Sequence, residues 1–306
     1  MSNLRIGTSG WNYPSGRGTW NGVFYPPSRR RPKGFDELAY YAEHFNTVEV
    51  NSTFYGQPRA NITRGWVERT PPHFDFSVKL YQKFTHPGMF KERLRRGSAL
   101  VAEAPPAVIE ELAAVNAADL DEFRRGIAPL VECGKLGALL AQFPPSFKSG
   151  AASLAYLDSL LRAFSGYQLA VELRHRSWSD AFGETFALLR THGAAFVQID
   201  EPKFKLSIAQ NQLPNIPTFY YMRLHGRNAA QWWTHEKSED RYNYLYSEEE
   251  IHEFVETIDA AREIVKKVYV YTNNHFSAKS VANAAMIKQQ LGEPITEELV
   301  ALRNTR

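Results

Sequence analysis

The chain has 306 residues, of which 43% are hydrophobic and 23% are charged, and its formal net charge is +3. This balance is typical of a globular protein, and so small a net charge favours no class of partner. The single cysteine, Cys133, excludes a disulfide framework and any zinc or iron–sulfur site built from cysteines. Cys133 lies at the end of an apolar helix face, which predicts that it is buried. Without a signal-like start or an apolar run of about 20 residues, the sequence predicts a cytoplasmic protein with no membrane contact.

Short β-rich segments alternate with amphipathic segments along the whole chain. The β-rich segments are bounded by polar residues, Gly or Pro, which predicts strands at 4–9, 47–51, 74–79, 136–143, 168–174, 194–200, 219–225 and 267–273. Apolar residues at helical spacing predict helices at 35–44, 120–133, 153–164, 180–192, 247–265 and 277–291. Ser247 and Glu250 predict a capping box at the start of the fifth of these helices.

The alternation of strands and helices predicts an α/β fold with parallel strand pairing. For a chain of this length the most economical closed arrangement is a single (β/α)8 TIM barrel over residues 1–306. A doubly wound open sheet is the alternative fold. Its glycine fingerprint is missing, because Gly16, Gly18 and Gly22 neither follow a strand directly nor show the G-x-G-x-x-G spacing of a dinucleotide site.

Four connections between the predicted elements are long or irregular. Residues 10–34, 80–106 and 226–246 follow the first, third and seventh predicted strands. In a barrel they form long loops on the C-terminal face, where TIM-barrel active sites are built. Residues 203–218 are rich in Pro, Asn and Gln, which predicts a reduced sixth helix.

Polar residues occupy one parity of several predicted strands, toward the C-terminal end of each. Side chains two residues apart share a face of a strand, so one parity in each strand points into the barrel. This predicts that the following residues point inward: Glu49, Asn51, Ser77, Lys79, Leu140, Gln142, Glu172, Arg174, Gln198, Asp200, Tyr221, Arg223, His225, Tyr271 and Asn273. The clustering of their polar members predicts a single site.

Seven segments resemble the YecE-like family, also called domain of unknown function 72. They are SGW at 9–11, FNTVEVNSTFY at 45–55, FDFSVK at 74–79, QFPPSF at 142–147, ELRHRSW at 172–178, RLHG at 223–226 and YTNN at 271–274. Similar members of this family form TIM barrels, so the resemblance implies that fold, but it implies no established activity. Thr272 departs from the family pattern, in which an aromatic residue is expected, and its outward parity makes this a matter of packing rather than chemistry.

Glu49 and Glu172 are predicted to be the catalytic residues. Buried carboxyls near cations can have pKa values far enough apart for one to donate a proton while the other accepts one. In this scheme Glu49 is the general acid and Glu172 the general base or nucleophile. The alternative is a structural ion network, in which Lys79, Arg174 and Arg223 neutralise the two carboxylates.

The cations converging on the same space predict an anionic substrate. Lys79, Arg174, Arg223 and His225, with help from Arg227, would bind a phosphate or carboxylate. His225 and Asn273 would position it. Further predicted substrate contacts are Tyr13, Asn51, Tyr55, Gln142, His175 and Asp200.

No cofactor is predicted, and a metal is the less favoured option. Glu49, Glu172, Asp200 and His225 are the candidate ligands for a divalent metal. The sequence has no H-E-x-x-H motif, and several basic groups aimed at the same space oppose cation binding.

The loops of the C-terminal face combine basic with aromatic residues, including Arg29 to Arg31, Lys83, Lys91, Trp232 and Trp233. Aromatic platforms with Lys and Arg are how proteins hold single-stranded nucleic acid, and a nucleotide or a sugar would also fit. In the alternative interpretation the aromatic residues form loop cores and the Arg side chains are solvated.

The favoured prediction is an enzyme that carries out hydrolytic or eliminative chemistry on an anionic, phosphate-bearing substrate, including a nucleotide or nucleic acid. One alternative is a glycosidase that uses the same two glutamates. The other is a non-catalytic protein that binds nucleic acid through the loops alone.

Overall fold

Strands and helices alternate along residues 2–210, 213–234, 236–237 and 239–304, which the computed structural model describes. The strands are β1 (Leu4–Thr8), β2 (Thr47–Val50), β3 (Asp75–Lys79), β4 (Leu136–Gln142), β5 (Leu169–Glu172), β6 (Ala195–Phe196), β7 (Gln198–Asp200), β8 (Phe219–Leu224) and β9 (Lys267–Thr272). The helices are α1 (Glu37–His44), α2 (Ser52–Tyr55), α3 (Ala60–Glu68), α4 (Gln82–Thr85), α5 (Pro87–Gly97), α6 (Ala99–Ala102), α7 (Pro106–Ala113), α8 (Ala117–Glu132), α9 (Ala151–Ala163), α10 (Ser177–Asp180), α11 (Phe182–Thr191), α12 (Ala229–Trp232), α13 (Glu248–Arg262), α14 (Lys279–Gln290) and α15 (Glu297–Asn304). All eight predicted strand segments are confirmed, the sixth being divided into β6 and β7.

The strands form two parallel sheets. One has the strand order β1-β9-β8-β7 and the other the order β2-β3-β4-β5-β6. Helices cover the outer faces, so central strands are buried on both sides, as Leu139, Leu140 and Ala141 of β4 show. The chain therefore has an α/β fold with parallel sheets, of the TIM-barrel-like kind. Of the helices in the described ranges, none combines the length and apolar character that a membrane span requires.

Side chains connect β1 and β2, the edge strands of the two different sheets. The hydroxyl of Tyr41, on α1, accepts a hydrogen bond from the backbone N–H of Thr8 at 2.9 Å and donates to the backbone carbonyl of Thr47 at 3.1 Å. The side-chain amide of Asn46 makes two further hydrogen bonds to the backbone of β1. These side chains satisfy buried backbone groups that a ladder would otherwise pair.

We expect Tyr41→Phe to lower the free energy of unfolding by about 1–3 kcal/mol, because it leaves buried backbone groups without a partner. Urea unfolding followed by circular dichroism measures this change. Tyr40→Phe is the control, since the hydroxyl of Tyr40 has no hydrogen-bond partner among the described residues. Its effect should stay within about 0.5 kcal/mol. Equal losses in the two variants would contradict the bridging role of Tyr41.

The polar side chains of β7 point away from the interior that the strands enclose. β7 pairs with β8 so that Ile199 lies opposite Arg223, and the two side chains share a face. Gln198 and Asp200 therefore lie on the other face. The prediction that these two residues point inward is wrong. Its premise was that the polar parity faces the interior, whereas the outer face of β7 is polar and no helix follows it within residues 201–210 and 213–218.

The connection after β7 has no helix within residues 201–210 and 213–218. Asn211 and Gln212 of the predicted irregular connection lie outside the described residues, as do His235 and Ser238 of the 226–246 connection and residues 1, 305 and 306. The described part of 226–246 contains α12 and a short 3-10 helix, Asp240–Tyr242.

The segment 80–106 is helical rather than an open loop. It contains α4, α5 and α6 and the first residue of α7. Pro87 and Pro106 lie in the first turns of α5 and α7. Proline is tolerated there because the first N–H groups of a helix have no intrahelical partner. None of these helices was predicted, because the segment was interpreted as a long loop.

Other parts of the chain also differ from the sequence predictions. The helices α2, α3, α10, α12 and α15 were not predicted. α8 begins at Ala117, after a capping box formed by Asn116 and Asp119, instead of at residue 120. Because α8 ends at Glu132, Cys133 lies beyond its apolar face and is exposed, which corrects the prediction that it is buried.

Candidate active site

A cavity of about 830 Å³ lies at the C-terminal ends of the strands, the end at which TIM-barrel active sites are built. Its volume is typical of small-molecule sites. The predicted site residues that line it are Tyr13, Asn51, Tyr55, Lys79, Gln142, Arg223 and Asn273. The predicted residues outside its lining are Glu49, Glu172, Arg174, His175, Asp200 and His225.

Arg223, near the end of β8, lies between the two predicted catalytic glutamates. Its guanidinium binds Glu49 in a bidentate manner, with Nε 2.9 Å from Oε2 and Nη2 2.7 Å from Oε1. Its Nη1 donates to Oε2 of Glu172. Glu49 also accepts hydrogen bonds from the hydroxyls of Ser9 and Tyr221, each at 2.7 Å.

Glu172 is held by two guanidinium groups. Nε of Arg174 donates to its Oε1 at 2.7 Å, while Arg223 binds the other oxygen. Burial acts to raise the pKa of Glu172, but the charges of Arg223 and Arg174 outweigh it and hold that pKa well below its usual value. Arg174 also pairs with Glu201 at 3.3 Å. Glu201, which directly follows β7, was not predicted because the wrong parity was assigned to that strand.

Neither predicted catalytic carboxylate is exposed to the cavity. Glu49 and Glu172 are each 0% exposed, and all four of their carboxylate oxygens accept hydrogen bonds. A general acid or base needs hydrogen-bond reach to its substrate, directly or through one water. The geometry therefore corresponds to the structural ion network, the alternative to the acid/base pair.

We expect Glu172 to make stability fall on acidification. A carboxyl whose pKa is lowered by folding stabilises the fold above its unfolded pKa of about 4.3, and this stabilisation is lost as the pH falls through the folded pKa. Urea unfolding between about pH 6 and pH 2 should show a shallower decline for Glu172→Gln than for wild type. Glu92→Gln, which alters an exposed pair with Arg96, is the control. An unchanged decline in Glu172→Gln would contradict the assignment.

His225 is a neutral member of the cluster. Its Nε2 lies 3.2 Å from Nη2 of Arg174 and 3.4 Å from Nη1 of Arg223, and its Nδ1 lies 2.8 Å from the side-chain amide of Asn273. Both guanidinium groups and the amide nitrogen of Asn273 are hydrogen-bond donors, so these neighbours disfavour a doubly protonated ring. Burial, with the two arginines, lowers the pKa of His225 to about 3. His225 therefore adds no positive charge for an anion at neutral pH.

Lys79, the last residue of β3, lines the cavity, and its amine has no ion-pair or hydrogen-bond partner within the described residues. The amine lies 4.2 Å from the centroid of the Phe54 ring, whose face attracts the charged form. Burial nevertheless lowers the pKa of Lys79 to about 7, with Arg223 acting in the same direction and Glu172 and Glu49 opposing it. At neutral pH a large fraction of this amine is therefore unprotonated.

His275 lines the cavity and was not predicted, whereas Arg241 and Tyr242, which also line it, belong to the loop after the seventh predicted strand, whose basic and aromatic residues were expected on this face. The ring of His275 stacks on Tyr13 at 4.3 Å between centroids and lies 4.9 Å from the ring of Tyr242. Burial lowers its pKa to about 4, so it is neutral at pH 7. Alternation along strands carries no information about residues in loops, although His275 directly follows the YTNN segment.

Asp200 and Arg227 lie on the outer face of the sheet. Nε of Arg227 donates to Asp200 at 2.9 Å, and its Nη1 donates to Glu250 of α13 at 3.0 Å. Both residues line a separate cavity of about 220 Å³, together with residues of β8 and α13. Neither residue lines the cavity of about 830 Å³, and Asp200 was placed there because the wrong strand parity was assigned.

The remaining predicted contacts differ in their positions. His175 accepts a hydrogen bond from the backbone N–H of Ser177 at 3.1 Å, at the start of α10, so it binds the chain instead of the cavity. Tyr55 lies at the cavity mouth and is 67% exposed. Asn51 lines the cavity, and its buried Oδ1 has no hydrogen-bond partner among the described residues. Gln142 accepts from Nη1 of Arg223 at 3.2 Å.

Several basic and aromatic residues of the loops on the C-terminal face form ion pairs or pack within the protein. Lys83 pairs with Asp119 at 2.8 Å, and Lys91 pairs with Glu110. Trp233 is 63% exposed. Buried aromatic residues of these loops include Trp20, Phe24, Tyr25, Trp232 and Tyr246. These residues form loop cores and ion pairs, whereas Arg29, Arg30 and Trp233 are exposed.

The candidate metal ligands do not form a metal site. Within the described ranges, no group of three or more His, Cys, Asp or Glu side chains is placed to hold a metal ion. Asp200 lies on the outer face of the sheet, and both glutamates are bound by guanidinium groups.

The sequence matches the family model described as protein of unknown function DUF72 over residues 5–304. The chain belongs to the DUF72 family. It is 27% identical over 299 residues to the UPF0759 protein YunF of Bacillus subtilis (strain 168), a match that covers 94% of each chain. The UPF0759 protein YecE of Escherichia coli (strain K12) is 30% identical over 146 residues, which are 46% of this chain and 43% of YecE. The resemblance seen in the seven segments is thus confirmed.

Crystal structures of two DUF72 family proteins are similar to this chain. The one from Thermotoga maritima MSB8 is 34% identical with a TM-score of 0.75, and the match covers 95% of this chain and 99% of that one. The one from Enterococcus faecalis V583 is 23% identical with a TM-score of 0.76, and the match covers 96% and 97%. These likenesses show the fold of the DUF72 chain.

Proposed function

We propose that the chain is an enzyme that carries out acid/base chemistry, hydrolytic or eliminative, on a small phosphate-bearing or otherwise anionic substrate bound in the cavity of about 830 Å³. The unpaired amine of Lys79 carries this proposal. A half-buried amine without a partner in the described part of the chain destabilises a fold, so its presence in a cleft indicates a chemical role.

Lys79 replaces the two glutamates as the group that transfers the proton. A general base works best when its pKa lies near the operating pH, and the pKa of Lys79 is about 7. Glu49 and Glu172 then serve, with Arg223, as the rigid ionic floor beneath the cavity. Their role is to set the charge around Lys79 rather than to touch the substrate.

The charged side chains beneath the cavity suggest how an anionic substrate would lie. Three carboxylates, Glu49, Glu172 and Glu201, face two guanidinium groups, Arg174 and Arg223, which leaves one formal negative charge when the amine is neutral. The anionic group of a substrate is therefore placed at the mouth of the cavity and its reacting atom deeper, near the amine.

Groups around the cavity would complete such a complex. Arg241 lines the cavity and supplies positive charge near the mouth. The side-chain amides of Asn51, Gln142 and Asn273 supply hydrogen bonds for hydroxyl or carbonyl groups. The ring of Tyr242 forms part of the wall, on which a sugar or base could pack.

The test is a turnover screen with sugar phosphates, nucleotides, neutral glycosides and labelled single- and double-stranded oligonucleotides, with and without EDTA. We expect wild type and Lys83→Arg to convert a phosphate-bearing compound and Lys79→Gln to lose at least about 100-fold in rate, the usual contribution of a general base. Equal rates in Lys79→Gln would contradict the proposal. Conversion of neutral glycosides alone would favour a glycosidase, and binding of nucleic acid without conversion would favour a non-catalytic binder.

We also propose that the two sheets close into one (β/α)8 barrel, which forms a single domain. Two observations support this view. The side chains of Tyr41 and Asn46 join β1 to β2, and β6 and β7 are separated by Val197 alone. A closed barrel brings all the strand ends to one face, as the lining of the cavity requires.

A further inference from the structure

We infer that Lys79 is also a nucleophile, whose amine forms an imine with the carbonyl group of an aldehyde or ketone substrate. This inference rests on the proposed function, because it uses the same cavity and the same side chain. It adds the substrate class, which is a small carbonyl compound that carries an anionic group.

The position of Lys79 suits covalent chemistry. It lies at the end of a strand that is paired on both sides, with Val78 opposite Val50 of β2 and Lys79 opposite Leu140 of β4. A reactive group on such a rigid element is held more firmly than one on a loop. Phe54 packs against the amine, which has no hydrogen-bond or ion-pair partner within the described part of the chain. No existing interaction therefore has to break before the amine attacks.

The charges around Lys79 favour both states that an imine mechanism needs. Attack requires the neutral amine, which burial and the positive charge of Arg223 favour by lowering the pKa of Lys79 to about 7. The product is a protonated imine, and the negative charges of Glu172 and Glu49 act on this position in the opposite direction and stabilise a cation there. Carboxylates that are buried and bound can still provide this field.

The covalent step balances without an oxidant or a reductant. The lone pair of the amine forms a bond to the carbonyl carbon, and a proton moves from nitrogen to the carbonyl oxygen to give a carbinolamine. One proton from solvent then allows that oxygen to leave as water, while the nitrogen lone pair forms the double bond of the protonated imine. The amide groups of Asn51 and Gln142, which line the cavity, are available to hydrogen-bond the carbonyl oxygen. The imine makes the neighbouring carbon acidic, which links this step to eliminative chemistry.

Borohydride trapping tests the inference with dihydroxyacetone phosphate as the probe and neutral dihydroxyacetone as its comparison. Reduction of the imine should add the mass of the probe less one oxygen atom, and peptide mapping should place this adduct at Lys79. Labelling at Lys79 should rise through about pH 7, whereas an ordinary surface lysine has a pKa of about 10.4 and reacts only at higher pH. The phosphate compound should label faster than the neutral one.

Two variants show whether the adduct depends on the amine of Lys79. Lys79→Arg keeps a positive charge but removes the nucleophile, so the adduct should disappear. Lys83→Arg changes a lysine that pairs with Asp119 outside the cavity, so the adduct should persist. Circular dichroism checks that both variants are folded. Adducts spread over many lysines, or absent from Lys79, would overturn the inference.

Thermal shifts with the same probe separate this inference from the proposed function. A shift without an adduct at Lys79 would overturn the imine while leaving an anion-binding enzyme. If the probe gives no adduct and the turnover screen finds no dependence on Lys79, both ideas fail together. An adduct confined to Lys79 supports both.

Discussion

Arg223→Met is expected to lower the free energy of unfolding by roughly 3–5 kcal/mol, the range for removing one partner of a buried ion pair. Arg223 is 1% exposed and binds both Glu49 and Glu172, which are fully buried. Methionine fills much of the same volume but leaves both carboxylates with reduced compensation, so the loss is electrostatic more than steric. Urea unfolding at pH 7, followed by circular dichroism, measures it.

A surface pair gives the matched control for Arg223. Arg162 pairs with Asp158 at 2.6 Å, but its side chain is 72% exposed, so Arg162→Met should change the free energy of unfolding by no more than about 1 kcal/mol. Adding Glu49→Gln to Arg223→Met should recover part of the loss, because it removes one of the stranded charges. Similar losses for Arg162→Met and Arg223→Met would show that the buried cluster is not the structural floor described above.

Strand alternation was sufficient to predict most of the polar cluster. In β2, β5 and β8 the apolar residues fill one parity, so Glu49, Glu172 and Arg223 had to share the other. The same argument placed Lys79 and Gln142 at the ends of β3 and β4, where they line the cavity. These assignments depend only on the two-residue period of a strand, which the sequence displays directly.

The pattern failed where its premise did not hold. In β7 the polar residues face outward, so Asp200 was placed in the site and Glu201 was left out. Parity also says nothing about loops, which contribute Arg241 and His275.

Alternation along strands does not predict which cation of the cluster binds which carboxylate. Several cations and several carboxylates share one face, and many pairings satisfy the same sequence. The actual partners depend on side-chain reach across the interior. Arg223 spans the distance between Glu49 and Glu172, and Arg174 binds Glu172 and Glu201. Lys79 is left without a carboxylate, so the residue expected to bind the anion becomes the most reactive group of the cavity.

Lys79→Met is expected to stabilise the fold while abolishing turnover. Burial shifts the pKa of Lys79 from 10.5 to about 7, and a shift of this size means that the charged amine destabilises the folded state by several kcal/mol. After a discount for solvent that reaches the amine, Lys79→Met should raise the free energy of unfolding by about 3 kcal/mol at pH 7. A lysine retained only for structure would give the opposite sign, whereas a gain in stability with a loss of activity is typical of functional residues.

The pH dependence identifies the amine as the cause. Below about pH 7 both the folded and the unfolded chain carry the proton on Lys79, so the full destabilisation is present. Between about pH 7 and 10.5 the unfolded chain holds a proton that the folded chain has lost, so wild type gains stability as the pH rises and the advantage of Lys79→Met shrinks toward zero. Lys83→Met is the control: Lys83 is 7% exposed and pairs with Asp119 at 2.8 Å, so its loss should destabilise the fold. If Lys79→Met and Lys83→Met both destabilise, Lys79 is a structural lysine, and the acid/base role and the imine lose their physical basis.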